Sequence, residues 1–132
     1  VLPKITSNVS VFPTEPHSNP LEDWLESCKY IKERVPNDVL VLPSHNEPFR
    51  GLHERLDHLI SGHEKSLSRL VDFCKEPKRA VDVFSVLFKR KITRDVLLMA
   101  TGESIAHLNC LKARGLITSE KDEQDVITYT KV

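Results

Sequence analysis

The placement of proline divides this chain more sharply than any other feature of its sequence. Seven of the eight prolines lie within residues 1–48, and Pro77 alone lies beyond them. Proline removes a backbone donor and breaks a helix beyond its first turn, so the first 48 residues must be loops and extended segments around one helix. Residues 49–132 are largely free of that restriction and are predicted to be mostly helical. The sequence therefore predicts a boundary near Pro48.

The apolar residues of the first part predict three elements. Residues 5–12 are β-branched and nearly alternating, which is typical of a strand or extended segment. Asn19 can cap a helix that has Pro20 at its first position, and apolar residues then recur on one face until Val35. Residues 39–42 are continuously apolar and are predicted to form a short buried strand. A helix that leads into an apolar strand is typical of mixed α and β folds.

A single long amphipathic helix is predicted next, from Phe49 to about Glu76. Apolar residues recur there at intervals of three and four, and His63 lies on the apolar stripe. Gly62 in the middle of this helix costs about 1 kcal/mol relative to alanine, so we expect it to mark a close packing contact.

The remaining residues predict short helices followed by a hairpin, an order similar to that of a winged helix. Two β-branched runs flank a charged turn, as in a hairpin. The predicted helices are 80–88, 93–100 with Thr93 as cap, and 104–113 ending at Gly115, and the predicted strands are 116–118 and 126–130.

Composition excludes several classes of protein. No apolar run approaches the roughly 20 residues of a membrane span, so no membrane partner is expected. The three cysteines, Cys28, Cys74 and Cys110, lie far apart within apolar helical patterns, which favours reduced thiols and a cytoplasmic location. Because the chain starts on Val1 in an extended pattern without methionine or a signal peptide, we expect it to be a piece of a longer protein.

Three blocks of the sequence resemble metallo-β-lactamase-fold hydrolases. "LPSHNEPFRGLHERLDHLISGHEKSLSRL" resembles the late motif in which a strand ends in a P-x-H-G-like sequence before a helix. "VLPKITSNVSVFPTEPHSNPLEDWLESCKYI" is similar to the segment that precedes this motif, and "TGESIAHLNCLKARGLI" to a winged-helix-like appendage at the carboxyl end. The blocks occur in the family's order and cover essentially the whole chain.

The resemblance implies an α+β, mostly helical fold. Residues 1–48 would form the C-terminal edge of an αββα sandwich, and residues 49–132 a long helix followed by a winged-helix-like domain with a small hairpin. The family holds one or two metal ions, usually zinc. Of the family's ligands only the late histidine carries over, as His45, where Ser44 and Asn46 replace the common flanking glycines.

The implied function is that of a metal-dependent hydrolase, of which this chain is the C-terminal portion. In the parent enzyme a metal-bound hydroxide would attack an ester, thioester, lactam or phosphoester of a small-molecule substrate, and His45 would hold one metal. A catalytic zinc site needs about three protein ligands, so the fragment alone is expected to be inactive. The alternative is a non-catalytic interaction module that can form homo-oligomers.

The other histidines favour structural roles. Spacing of five residues turns His53, His58 and His63 about 140° apart around the helix, so they do not converge on a metal. Glu54 and His58 are expected to form a surface pair. His107 is expected to be a packing residue that hydrogen-bonds Glu103 one turn earlier.

DNA binding is the disfavoured alternative for the winged-helix-like part. A recognition helix at 104–114 would present Asn109, Lys112 and Arg114, and four cations nearby could meet phosphates: Lys89, Arg90, Lys91 and Arg94. The predicted wing, 119–125, carries four acidic residues against one lysine, which would repel the phosphate backbone.

Overall fold

The helix predicted after Asn19 runs from Pro20 to Arg34 (α1) in the computed structural model, which describes residues 1–132. Pro20 occupies its first turn and Val35 ends it in extended conformation, as predicted. Asn19 lies at the capping position, but its side chain makes no capping hydrogen bond. Asn19 is therefore the residue before the helix, as predicted, but its side chain does not cap the helix.

The long amphipathic helix extends from Leu52 to Phe73 (α2). Its buried stripe confirms the predicted periodicity and consists of Leu52, Leu56, Leu59, His63, Leu67 and Leu70. The helix begins later than predicted because Gly51 adopts a left-handed conformation, with φ of 84°, immediately before it.

Two helical glycines, Gly62 and Gly102, differ in how closely other atoms approach them. A Cβ atom at Gly62 would meet nothing within 4 Å, so the predicted close contact there is wrong. A Cβ atom at Gly102 would lie 3.0 Å from the Val11 carbonyl oxygen and 3.1 Å from Ser10 Cβ. The Val11 amide also donates to the Gly102 carbonyl at 3.0 Å, so the extended segment crosses the helix at Gly102.

Alanine at these two glycines should change stability in opposite directions. Gly62→Ala should raise the free energy of unfolding by about 1 kcal/mol, the propensity difference at an open helical position. Gly102→Ala should lower it by about 1 kcal/mol or more, because overpacking against backbone outweighs that gain. Urea unfolding of both variants measures the difference. A stabilised Gly102→Ala protein would contradict the crossing.

The segment predicted as three short helices forms one short and one long helix. Phe84–Leu87 (α3) is all that remains helical of 80–88. A 3₁₀ turn, Arg94–Val96, then leads into a continuous helix, Leu97–Ala113 (α4). The predicted separation between residues 100 and 104 is wrong, since Leu97–Ala113 is one continuous helix and Gly102 lies against the crossing segment without interrupting it. Gly115 ends the region with φ of 70°, as predicted.

The carboxyl-terminal residues confirm the predicted hairpin. Ile117–Lys121 (β1) pairs antiparallel with Ile127–Lys131 (β2), and Ser119 lies opposite Tyr129. Tyr129 also exchanges two backbone hydrogen bonds with Lys78, of 2.8 and 3.0 Å, which ties the hairpin to the segment after α2. The chain is thus an α+β structure whose only sheet has two strands.

The main core draws side chains from both predicted parts of the chain. Val9 and Val11 of the extended segment and Leu21 and Leu25 of α1 pack with residues of α2, α4 and the hairpin. Residues 5–12 belong to no strand and pair with none. The boundary near Pro48 stays a prediction.

The predicted buried strand at 39–42 is not buried. Leu40 is 53% exposed and Leu42 75% exposed, and Val41 forms only an isolated bridge with Phe49. Val39 and Val41 are half-buried against a cluster of Cys28, Leu52 and Leu56, so only one face of the run is covered. No helix of the structure is long and apolar enough to span a membrane.

Candidate functional site

His45 lies at the tip of a loop that is closed by two backbone hydrogen bonds. The Val41 amide donates to the Phe49 carbonyl at 2.9 Å, and the Phe49 amide donates to the Val41 carbonyl at 3.1 Å. His45 is exposed between them. Asn46 adopts a left-handed conformation with φ of 71°, which asparagine tolerates better than most residues other than glycine. The loop therefore makes a glycine-like turn next to the histidine.

The base of this loop is fastened to the start of α2. The Asn37 side chain accepts from the His53 amide at 2.8 Å and donates to Glu54 Oε1 at 3.1 Å. His53 Nε2 lies 2.7 Å from the Val35 carbonyl, so it donates to that oxygen. Arg50 also donates to the Asp38 carbonyl. These contacts fix the base from which the His45 loop projects.

The chain by itself does not fit a complete metal site. No group of three or more His, Cys, Asp or Glu side chains is placed to hold an ion. The histidine rings that make hydrogen bonds are those of His53, His63 and His107, so both ring nitrogens of His45 are available. His45 thus fits the role of one ligand, and further ligands would have to come from elsewhere.

The histidines of α2 do not converge, as predicted. His53 is bound to Val35, His58 is exposed, and His63 is buried. The predicted surface pair of Glu54 with His58 is wrong, because Glu54 accepts a hydrogen bond from Asn37 instead. Hydrogen bonding to the backbone, and to a smaller extent this contact with Asn37, lowers the pKa of the Glu54 carboxyl.

A pair of buried histidines joins α2 to α4. His107 Nδ1 donates to the Glu103 carbonyl at 2.8 Å, which confirms the predicted bond to residue 103 and assigns it to the backbone. His107 Nε2 lies 3.3 Å from His63 Nδ1. Burial lowers the pKa of His107 to about 4 and also lowers the pKa of His63. Both rings are therefore neutral at pH 7.

Acid should destabilise the protein through His107. Its folded-state pKa lies below its ordinary value, so the unfolded chain binds the proton first, and stability present above pH 6.5 is lost as the pH falls toward 4. We expect a loss of about 2 kcal/mol between pH 7 and pH 5. Urea unfolding at several pH values measures it. His107→Gln should reduce this slope and leave the part that is due to His63, whereas the exposed His17→Gln should leave it unchanged; equal slopes in the two variants would contradict the assignment.

Arg114, at the end of α4, binds two carboxylates from two other helices. Its guanidinium lies 2.7 Å from Glu22 Oε2 on α1 and 2.8 Å from Glu64 Oε2 on α2. These hydrogen bonds lower the pKa of both carboxyls and raise the pKa of Arg114. Cys110 donates to Glu22 at 3.2 Å, and burial raises the pKa of its thiol to about 12, so it is not a nucleophile.

No local pattern in the sequence pointed to this cluster. Arg114 would face outward from a recognition helix only in the disfavoured DNA-binding alternative, and its partners lie 92 and 50 residues away along the chain. Asn109, which that alternative would also require, donates to the carbonyls of Pro16 and Ser18. Two of the three side chains that DNA binding would require are thus engaged within the protein.

Comparison with known proteins identifies proteins that are similar to this chain. Residues 67–132 match the family model described as "Metallo-beta-lactamase-like, C-terminal domain". A beta-lactamase domain protein from Burkholderia ambifaria is 37% identical over all of this chain, with a TM-score of 0.94. A metallo-beta-lactamase family protein from Thermus thermophilus is 24% identical over 99% of this chain, with a TM-score of 0.81, and shows the shared fold.

The chain spans about 39% of the length of each of these two proteins. No curated protein is similar enough to this chain to count as a match.

Proposed function

Because this chain belongs to the metallo-β-lactamase-like family, we propose that it is the C-terminal portion of a metal-dependent hydrolase. The parent enzyme would hydrolyse an ester, thioester, lactam or phosphoester of a small molecule. The observation that carries the proposal is the His45 loop, which presents an exposed imidazole with both nitrogens available.

His45 would act as one metal ligand in the complete protein. Zinc is the metal we propose, since imidazole is one of its preferred ligands. When bound, it would supply Lewis acidity at this loop. The role of this chain's residues is to hold the imidazole in place: the Val41 to Phe49 bridge closes the loop, and Asn37 fastens its base to α2.

The exposed face of the apolar run at 39–42 supports the proposal that this segment is part of a larger sheet. Leu40 and Leu42 point apolar side chains outward, and the run has no strand beside it apart from the single bridge. An apolar face that is left exposed to water is unfavourable and commonly marks a surface that another part of the protein covers. In the complete protein we expect a sandwich to cover it, with His45 at the end of the strand.

The helices and hairpin of residues 49–132 are proposed to support that site rather than to bind DNA. Asn109 and Arg114 are engaged in contacts inside the chain, and the hairpin turn is acidic. Self-association stays a second proposal, and size-exclusion chromatography with light scattering tests it. The three cysteines are buried and unpaired, which supports a reducing compartment such as the cytoplasm.

The test is an assay of the complete protein with metal removed and restored. Hydrolysis of ester, thioester, lactam and phosphoester substrates is measured before chelation, after chelation and after zinc is added back. We expect activity on at least one class, lost with the metal and recovered with zinc. Activity that survives complete metal removal would contradict the proposal.

A further inference from the structure

An apolar groove of about 490 Å³ lies between residues 8–16 and the first turns of α4. Three of the side chains that line it are large, apolar and exposed to solvent: Phe12 is 69% exposed, Leu98 77% and Met99 55%. We call the groove and these three side chains the Leu98 face. None of its lining residues belongs to the His45 loop, so it is a separate surface of the molecule.

Backbone contacts hold the Leu98 face in one arrangement. The Val11 amide donates to the Gly102 carbonyl at 3.0 Å, which places Phe12 beside α4. The Glu15 amide donates to the Phe12 carbonyl at 2.9 Å and closes the turn that follows. The apolar side chains therefore project from a fixed backbone, and little ordering would be needed when another surface covers them.

The composition of α4 indicates that its first turns are normally covered. The helix contains only two residues that are charged at pH 7, Glu103 and Lys112. The consecutive residues 106–108 are all buried, so its apolar surface extends around the helix rather than along one stripe. A helix that is apolar on all sides is normally buried. The exposed side chains at its beginning therefore lack a covering layer.

The size of the Leu98 face fits one half of a dimer interface. At these exposures, Phe12, Leu98 and Met99 present on the order of 400 Å² of apolar surface. A standard protein interface buries roughly 800 Å² on each partner, and slightly more than half of that area is apolar. This one face thus supplies the apolar share that a dimer requires.

Charges at the edge of the groove favour a second copy of the chain over other occupants. Asp95 is the only charged residue that lines the groove, which disfavours an anionic lipid surface. Arg94, next to it in the sequence, is exposed and forms no ion pair within the chain. In a two-fold dimer the same patch meets itself, so Arg94 of one copy can pair with Asp95 of the other.

We propose that the Leu98 face is the contact between two copies of this protein that are related by a two-fold axis. Leu98 and Phe12 of each copy would enter the groove of the other copy, and Arg94 would pair with Asp95 across the interface. The inference rests on the self-association proposed above and specifies the surface that it uses. It depends on neither metal binding nor hydrolysis.

The mass of the complete protein in solution tests the proposal. Size-exclusion chromatography with light scattering, between about 1 and 100 µM, should show a dimer whose fraction rises with concentration. Leu98→Glu should weaken the dimer about 100-fold or more, because a two-fold contact contains the substitution twice and each buried charge costs at least about tenfold. Val132→Glu is the matched control, since Val132 is 81% exposed and does not line the groove, and it should leave the dimer unchanged.

Two charge reversals test the two-fold arrangement itself. Arg94→Glu and Asp95→Arg should each weaken the dimer when studied alone, because each places like charges opposite one another across the interface. When the two variants are mixed in equal amounts they should form heterodimers, since each reversed charge then meets its opposite.

Three results would each overturn the proposal. The first is a wild type that stays monomeric up to about 100 µM, which would also remove the proposed self-association. The second is a Leu98→Glu protein as dimeric as Val132→Glu, which would assign self-association to another surface. The third is a pair of charge-reversed variants that do not associate when mixed.

A lipid surface is distinguished by flotation with phosphatidylserine vesicles. A monomeric wild type that floats with these vesicles, and loses this property in Leu98→Glu, would assign the Leu98 face to a membrane surface and overturn the dimer. Because none of these measurements involves hydrolysis or metal, the proposed hydrolase function stands or falls separately.

Discussion

Replacing Arg114 by methionine should lower the free energy of unfolding by about 2 kcal/mol, because two partly exposed carboxylates lose the cation that they share. Glu22, Glu64 and Arg114 lie on α1, α2 and at the end of α4, so their contacts join three helices at one point. Methionine keeps much of the side-chain packing, and the loss therefore reports the charge. Without Arg114, the two acidic groups would be left to repel each other.

The Lys32 to Asp57 pair offers the matched comparison. Its atoms lie 2.6 Å apart, yet it is more exposed, so Lys32→Met should cost well under about 1 kcal/mol. Arg114→Lys should fall between the two, because one ammonium cannot make the same paired contacts. Urea unfolding at pH 7 gives all three values. An Arg114→Met loss no larger than that of Lys32→Met would show that the cluster does not stabilise the fold.

Periodicity along the chain was enough to predict α1, α2 and the hairpin. In each of them the buried residues recur at the period of a helix or of a strand. Local residues also mark where helices begin or end, as Pro20 does for α1 and Gly115 does after α4. The same reasoning wrongly divided α4 between residues 100 and 104, where the structure has one continuous helix. The role of Gly102 depends on Ser10 and Val11, which are distant from it in sequence.

The contacts that matter for function are distant in sequence and were only partly predictable. His45 could be singled out by its motif, and His107 by its position on an apolar face. That His63 and His107 meet, or that Arg114 reaches Glu22 and Glu64, depends on how three helices pack. The prediction of a buried strand at 39–42 was wrong, because an apolar run in the sequence does not show whether another layer of the protein packs over it.

In the complete protein, His45→Ala should reduce hydrolysis by about 100-fold or more while leaving the fold intact. Altering even an outer partner of a metal ligand commonly costs about 10–100-fold in affinity or activity, and removing a ligand should cost at least as much. His45 is exposed and makes no hydrogen bond to the chain, so its removal should change the midpoint of thermal unfolding of this chain very little. Activity is measured at saturating zinc and again at limiting zinc.

His17→Ala is the control for this substitution. His17 is likewise an exposed loop histidine, but it belongs to no motif of the family, and its removal should leave activity unchanged. Asn46→Gly tests the geometry of the loop, since glycine adopts the left-handed conformation of residue 46 freely and should retain activity. Equal losses in His17→Ala and His45→Ala would point to a general effect on the protein.

We propose that the imidazole of His45 is a metal ligand. Elemental analysis of zinc per molecule in the complete protein, for the wild type and for His45→Ala purified side by side, tests it most directly. We expect a clear fall in bound zinc in His45→Ala and no change in His17→Ala. Equal zinc content in the wild type and His45→Ala would contradict it.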